Sequence, residues 1–170
     1  MNIKRWLAWI PAILVMIIIF SFSSENGSES SGLSGSLTKK VVEAVINTVD
    51  LKVTREEEEH IIENIHTPIR KLGHLSEYAL LGLTTAFAFA CAHRLKGRRL
   101  YLISLCLCTL YASTDEIHQL FIPGRSGMVT DVGIDAFGAL IGIGIFSCIY
   151  KLKFTIDKSP KGEYYKITKK

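Results

Sequence analysis

Four long stretches of this sequence contain no charge. Trp6 to Ser24 is nineteen uncharged residues, and Tyr78–Ala92, Leu100–Thr114 and Ala136–Tyr150 are fifteen each. A soluble core does not need its apolar residues gathered in such blocks, so an ordinary soluble domain is excluded. No Ala-x-Ala site follows the first run, which argues against a cleaved signal peptide and for an uncleaved anchor. Cysteine is scarce. Cys91, Cys106, Cys108 and Cys148 all fall in apolar runs and read as small buried hydrophobes, not as disulfide partners or zinc ligands. There is no nucleophile elbow, phosphate loop or Cys-His metal spacing, so no motif dictates a reaction class. No inverted repeat is visible, which weighs against a transporter.

What is there points to a membrane. The first run follows Lys4 and Arg5 and is long enough to cross a bilayer core of roughly 30 Å. The other three runs are each only about 22 Å long as helices. To span, each must take in neighbouring polar residues. The second reaches back over His74 and Glu77, the third forward over Asp115, Glu116 and His118, and the fourth back over Asp131 and Asp135. The expected fold is all-α: an integral membrane four-helix bundle with helices near 5–24, 72–93, 99–120 and 129–150. One membrane domain then covers 1–153, followed by a basic tail over 154–170.

Basic residues set the orientation. Lys4 and Arg5, the loop Arg94, Lys96, Arg98, Arg99, and seven lysines after the last run fall on one side of four spans. The positive-inside rule makes that side cytoplasmic, along with both termini. The inner segments carry 13 basic and 2 acidic residues, and the rest of the chain carries 7 and 14. The overall +4 is therefore the difference between an inner +11 and an outer −7. The inner charge suits an anionic leaflet, and nucleic acid is not an expected partner.

Residues 25–71 form the expected outer loop. SSENGSESSGLSGS is Ser/Gly-rich and reads as a loop. Leu37, Val41, Val45 and Val49 then recur every four residues, beside Val42 and Ile46, as in an amphipathic helix. Thr54-Arg55-Glu56-Glu57 fits a capping box opening a second helix, with an Ile61, Ile62, Ile65 stripe. Thr67-Pro68 is expected to end it. The segment would cover the bundle or lie in the outer interface, with a lid as the sharper alternative.

Three polar groupings converge on the outer ends. In RKLGHLSEYALLG, Arg70 and Lys71 precede His74, Glu77 and Tyr78, which share a helix face. In YASTDEIHQLF, Asp115, His118 and Gln119 share a face, with Glu116 about 100° aside. In GRSGMVTDVGIDAFGALIG, Arg125 precedes Asp131 and Asp135, and Gly138 and Gly142 continue the Asp stripe as a close-packing surface. Carboxylates in lipid cost roughly 2.5–3.5 kcal/mol each on insertion scales, so they need partners, water or a metal. Singly, each residue also has a structural reading: His74 as an interface histidine, Asp131 as a helix cap, Arg125 as a turn residue, Tyr78 as part of an aromatic belt. Together they make a candidate site. Arg70, Lys71, Tyr78, Gln119 and Arg125 would bind substrate. His74, Glu77, Asp115, Glu116, His118, Asp131 and Asp135 would supply acid, base or ligands. A divalent cation is permitted by these ligand types but not demanded.

RKLGHLSEYALLG, LYASTDEIHQLFIPGRSG and DVGIDAFGALIG, with a weaker match at FSFSSENGSESSGLS, resemble the VanZ-like family in order and spacing over roughly 5 to 150. The DE-x-HQ-x-F-x-PGR block is the most specific part. The resemblance implies a small multi-span protein of the bacterial plasma membrane, from a family whose namesake is associated with resistance to the glycopeptide teicoplanin. It supplies no reaction. Three functions stay open: an enzyme acting on a lipid or lipid-linked envelope precursor, a non-catalytic protein that binds or shields a lipid-anchored glycopeptide, and an ion-coupled carrier.

Overall fold

The computed structural model describes residues 3–25, 27–50, 53–125 and 127–157, and most of the expected basic tail lies outside them. Those residues are helical apart from short turns and connections, with no strand among them. The order is α1 (Ile3–Trp6), a 3₁₀ turn (Leu7–Trp9), α2 (Ile10–Ser23), α3 (Gly27–Val49), α4 (Arg55–His93), α5 (Gly97–Gln119) and α6 (Val129–Asp157).

The break between α1 and α2 has a local cause. Pro11 stands in the first turn of α2 and has no N–H to give to the Leu7 carbonyl four residues back. The Ile10 N–H takes that carbonyl instead, which tightens the chain into 3₁₀ geometry. Downstream, Ala12, Val15, Ile19 and Ser23 form one buried stripe, while Ile13, Leu14, Ile17, Ile18 and Phe20 face outward.

Three helices are long and apolar enough to cross a membrane: Arg55–His93, Gly97–Gln119 and Val129–Lys151. Leu7–Ser23 is apolar but shorter. It nonetheless reaches both ends of the bundle. The Trp9 ring lies 4.9 Å from Phe89 and 6.1 Å from His93 at the end of α4. At the other end the Ser24 hydroxyl lies 3.3 Å from His118 Nε2, and Arg125 donates to the Phe22 carbonyl at 2.7 Å.

The capping box forms as the residues predict. The Glu57 N–H donates to the Thr54 hydroxyl at 3.3 Å, and the Thr54 N–H donates to the Glu57 carboxylate at 2.8 Å. Two other expectations are corrected. Thr67-Pro68 does not stop the helix: α4 runs through Pro68, which sits on an exposed face. The carbonyl that Pro68 leaves without a partner is that of Asn64, also exposed, where solvent can satisfy it. The Ser/Gly-rich stretch is likewise not a loop, since α3 is helical from Gly27 onward. Tertiary packing overrides the weak propensity of Ser and Gly there. The amphipathic helix expected over 37–49 forms, and Val42, which stands beside the four-residue stripe, is on its buried side. Thr38 and Val42 are buried, whereas Leu37, Val41, Val45 and Val49 are about half exposed.

The α4–α6 seam is the tightest. A Cβ on Gly138 would run into the backbone of Leu75, one on Gly142 into Ala79, and one on Gly82 into Ala139. The Leu75–Gly138 and Ala79–Gly142 approaches advance together along both helices, as do the Lys71–Asp131 and His74–Asp135 pairs, so α4 and α6 run parallel. The small-residue stripe of α6 thus lets the backbones touch, as its spacing implies. One core cluster joins Val15, Ile19, Tyr78, Leu81, Cys108, Ala112 and Ala139, and a second joins Ala86, Leu100, Ile143 and Phe146. Of the four cysteines only Cys108 is buried. Cys91, Cys106 and Cys148 point outward, correcting the expectation of four buried thiols. Outward-facing Leu102, Leu110, Ile117, Phe137, Ile145 and Ile149 leave an apolar girdle that water would not tolerate and acyl chains would cover.

Candidate functional site

Because α4 and α6 are locked in parallel register, the polar residues one turn before the glycines meet as well. Lys71 Nζ lies 3.5 Å from Asp131 Oδ1, and His74 Nδ1 lies 3.9 Å from Asp135 Oδ1. Asp135 is completely buried, and neither of its carboxyl oxygens is hydrogen-bonded. His74 Nδ1 also lacks a hydrogen bond, since 3.9 Å is too long for one. Beneath them the buried Tyr78 hydroxyl has no partner, and its ring lies 6.4 Å from that of Tyr111. The Tyr111 hydroxyl instead donates to the Met16 carbonyl at 2.6 Å, fastening α5 to α2.

The end of α5 brings a second set. Asp115, Glu116 and Gln119 are all buried. Gln119 Nε2 donates to Asp115 Oδ2 at 3.3 Å, leaving Asp115 Oδ1 without a partner. Glu116 accepts the Met128 N–H at 2.8 Å through one carboxylate oxygen, which anchors the 120–128 loop at the start of α6, while its Oε1 is buried without a partner. In that loop Gly124 has φ 76°, a left-handed turn after Pro123 that suits glycine. A Cβ on Gly127 would meet the Glu116 carbonyl, so the loop presses directly on the end of α5. This arrangement aims Arg125 back across the bundle. Burial, and then the neighbouring Arg70, lower the Arg125 pKa from its ordinary value. An arginine stays charged under such a shift.

These residues border a cavity of about 200 Å³, lined by Ile19, Phe22, Ser23, Glu25, Leu37, Arg70, Gly73, His74, Glu77, Asp115 and Arg125. Five of the residues singled out from sequence therefore share one wall: Arg70, His74, Glu77, Asp115 and Arg125. Lys71, Tyr78, Asp131 and Asp135 pack behind or beside it. Gln119 supports Asp115, and Glu116 supports the loop. His118 stands apart, its ring stacked on Phe20 at 4.9 Å. Among the described residues, no three His, Cys, Asp or Glu side chains converge closely enough to hold a metal ion.

The sequence reading missed Ser23 and Glu25. Ser23 had a detectable signal, because it continues the helical stripe Ala12, Val15, Ile19 and ends an otherwise apolar run. Its hydroxyl is buried without a partner. Glu25 stands two residues after Ser23 at the end of α2 and reaches the cavity with it, whereas Leu37 had no comparable signal, since only the docking of α3 brings it there.

Three long apolar helices, an outward apolar girdle and a buried polar cluster at one end define a polytopic helical membrane protein with an ionisable pocket. The VanZ/LLP1 family model matches residues 8–151, and the chain belongs to that family. No curated protein and no solved structure matches the chain significantly.

Proposed function

We propose that this is a multi-pass protein of the bacterial cytoplasmic membrane, with four crossings and both termini inside. Its polar cavity would engage the anionic head group of a lipid or lipid-linked envelope precursor, contributing to teicoplanin resistance. The carrying observation is the lining of one cavity by two guanidinium groups, an imidazole and three carboxylates: Arg70, Arg125, His74, Glu25, Glu77 and Asp115. A guanidinium pair is suited to phosphate, which it can hold through forked hydrogen bonds. Arg125 spends one donor on the Phe22 carbonyl and keeps others for a ligand.

Four crossings are supported by the reach of α2 from His93 to His118. The inner placement of Arg94–Arg99 rests on the charge asymmetry. Glu77 and Asp115 stand where they can take or give a proton at a bound head group, and His74 lies between them and Asp135. Binding without chemistry is the second reading. It is favoured by the same mixture of cations and carboxylates, which recognises a head group without having to transform it.

The test is expression of wild type and of Glu77→Gln/Arg70→Gln in a susceptible Gram-positive host at matched membrane abundance. Teicoplanin and vancomycin inhibition thresholds are then measured. A raised teicoplanin threshold in wild type, lost in the variant, supports the pocket. Equal protection by both removes the pocket from the function. A modified species in extracted lipids selects enzyme over binding protein.

A further inference from the structure

A second cavity lies at the opposite end of the bundle from the polar site. It has a volume of about 150 Å³ and is lined by Arg5, Trp6, Trp9, Ala92 and His93. We propose that it is a binding site for an anionic phospholipid of the leaflet at that end, with the lipid phosphate on Arg5 and the upper acyl chain against the two indoles.

The 3₁₀ turn builds the pocket. At three residues per turn, side chains three apart eclipse, so the turn tends to bring Trp6 and Trp9 onto one face, where an α-helix would offset them. Trp9 packs edge-on to Phe89 and lies beside His93, so the wall is fixed, while Trp6 is 57% exposed and free to cover a ligand.

The charge of this end points to the ligand. No acidic residue occurs in 1–24, 78–114 or 136–156, and α6 brings a single one, Asp157, to this end as its last residue. Arg5 is exposed and has no ion pair among the described residues. Arg94, Lys96, Arg98 and Arg99 follow immediately after His93. A cation beside a mostly apolar cavity, with no internal carboxylate, matches a molecule that is anionic at its head and apolar just below. Tryptophan belongs at that depth of a bilayer.

The chain's two tryptophans are Trp6 and Trp9, so fluorescence excited at the red edge, where the six tyrosines do not absorb, reports this site alone. The full-length protein in neutral detergent is titrated with brominated phosphatidylglycerol, with brominated phosphatidylcholine, and with inorganic phosphate. Saturable quenching is expected at lower mole fraction for phosphatidylglycerol than for phosphatidylcholine. Arg5→Gln should raise the phosphatidylglycerol midpoint roughly fivefold, the scale of one basic contact at a membrane surface, and leave the phosphatidylcholine curve in place. Lys96→Gln, which removes a charge from the same end but not from the cavity, should leave both curves unchanged. Equal midpoints for the two lipids overturn the proposal, as does an unchanged Arg5→Gln midpoint. Equal weakening by Lys96→Gln reduces the effect to general surface charge and overturns the site. A change in the emission spectrum with inorganic phosphate alone makes it a phosphate site and overturns the lipid assignment. Arg5 is exposed, so its substitution leaves the core intact, and a monodisperse elution profile checks this.

Discussion

Asp135 has no exposed surface, and its two carboxyl oxygens are matched only by His74 at 3.9 Å. At that distance the imidazole acts on the carboxyl group through charge and polarity and not through a hydrogen bond, and taking it away deepens the desolvation penalty the carboxyl group already carries. His74→Leu should therefore destabilise the protein by about 1–3 kcal/mol, beyond any loss of activity. The double variant His74→Leu/Asp135→Leu should recover part of that loss, since removing both partners leaves no orphan. Thermal unfolding of the four corners of this cycle in one detergent measures the coupling. A double variant less stable than His74→Leu alone would show that the pair does not act as a unit.

Glu116 makes a different kind of contribution. It lines no part of the cavity but holds the Met128 N–H, and through the loop it positions Arg125. Glu116→Gln keeps an acceptor in place, whereas Glu116→Ala releases the loop. Glu116→Ala should therefore weaken head-group binding much more than Glu116→Gln does, with the melting temperature moving far less than it does for His74→Leu. Equal loss in both variants would instead assign Glu116 a charge-dependent role.

At the scale of helices, the α4–α6 seam controls the register of the site. Gly142→Leu would drive a side chain into the Ala79 backbone, which cannot give way as a flexible side chain would. The expected cost is about 1–3 kcal/mol, the range of overpacked cores, together with loss of the Lys71–Asp131 and His74–Asp135 pairings. Gly144→Ala is the control, because nothing lies within 4 Å of its added Cβ. Yield of folded protein and melting temperature should separate the two, and equal behaviour would contradict the close approach.

Much of this level was legible in the residues. The i, i+4 spacing of Asp131 and Asp135 and its continuation into Gly138 and Gly142 place the carboxylates against α4. His74 and Glu77 were placed by the same spacing argument. What was not legible depends on contacts between distant segments. Pro68 looks like a stop until its freed carbonyl is seen to face outward. The serines and glycines before Leu37 look like a loop until α3 docks on α4. The apolar stripe of α3, with Val42 and Ile46 beside it, marks an amphipathic helix without saying which side docks, and the side that is buried carries Thr38 and Val42. The 3₁₀ turn follows from Pro11 and Leu7 being four apart, a local rule that the apolar run obscured.

For the molecule as a whole, function depends on how many times the chain crosses the membrane and in which sense. Three helices qualify on length, and α2 is shorter yet touches both ends. Four crossings put Arg5 and Lys96 on one side and Arg55 on the other. If the N-terminal helix did not cross, Arg5 would share a side with Arg55. Single cysteines at these three positions, in a background with the four native cysteines replaced by alanine, distinguish the cases. With a membrane-impermeant maleimide on intact cells, Arg55→Cys should label, and Arg5→Cys and Lys96→Cys should label only after permeabilisation. Labelling of Arg5→Cys and Arg55→Cys alone would reduce the crossings to three and leave α2 as a re-entrant element. Labelling of Arg5→Cys and Lys96→Cys alone would invert the protein. The inverted case would also put the polar cavity on the cytoplasmic face, away from an extracellular glycopeptide, and the proposed role in teicoplanin resistance would fall with it.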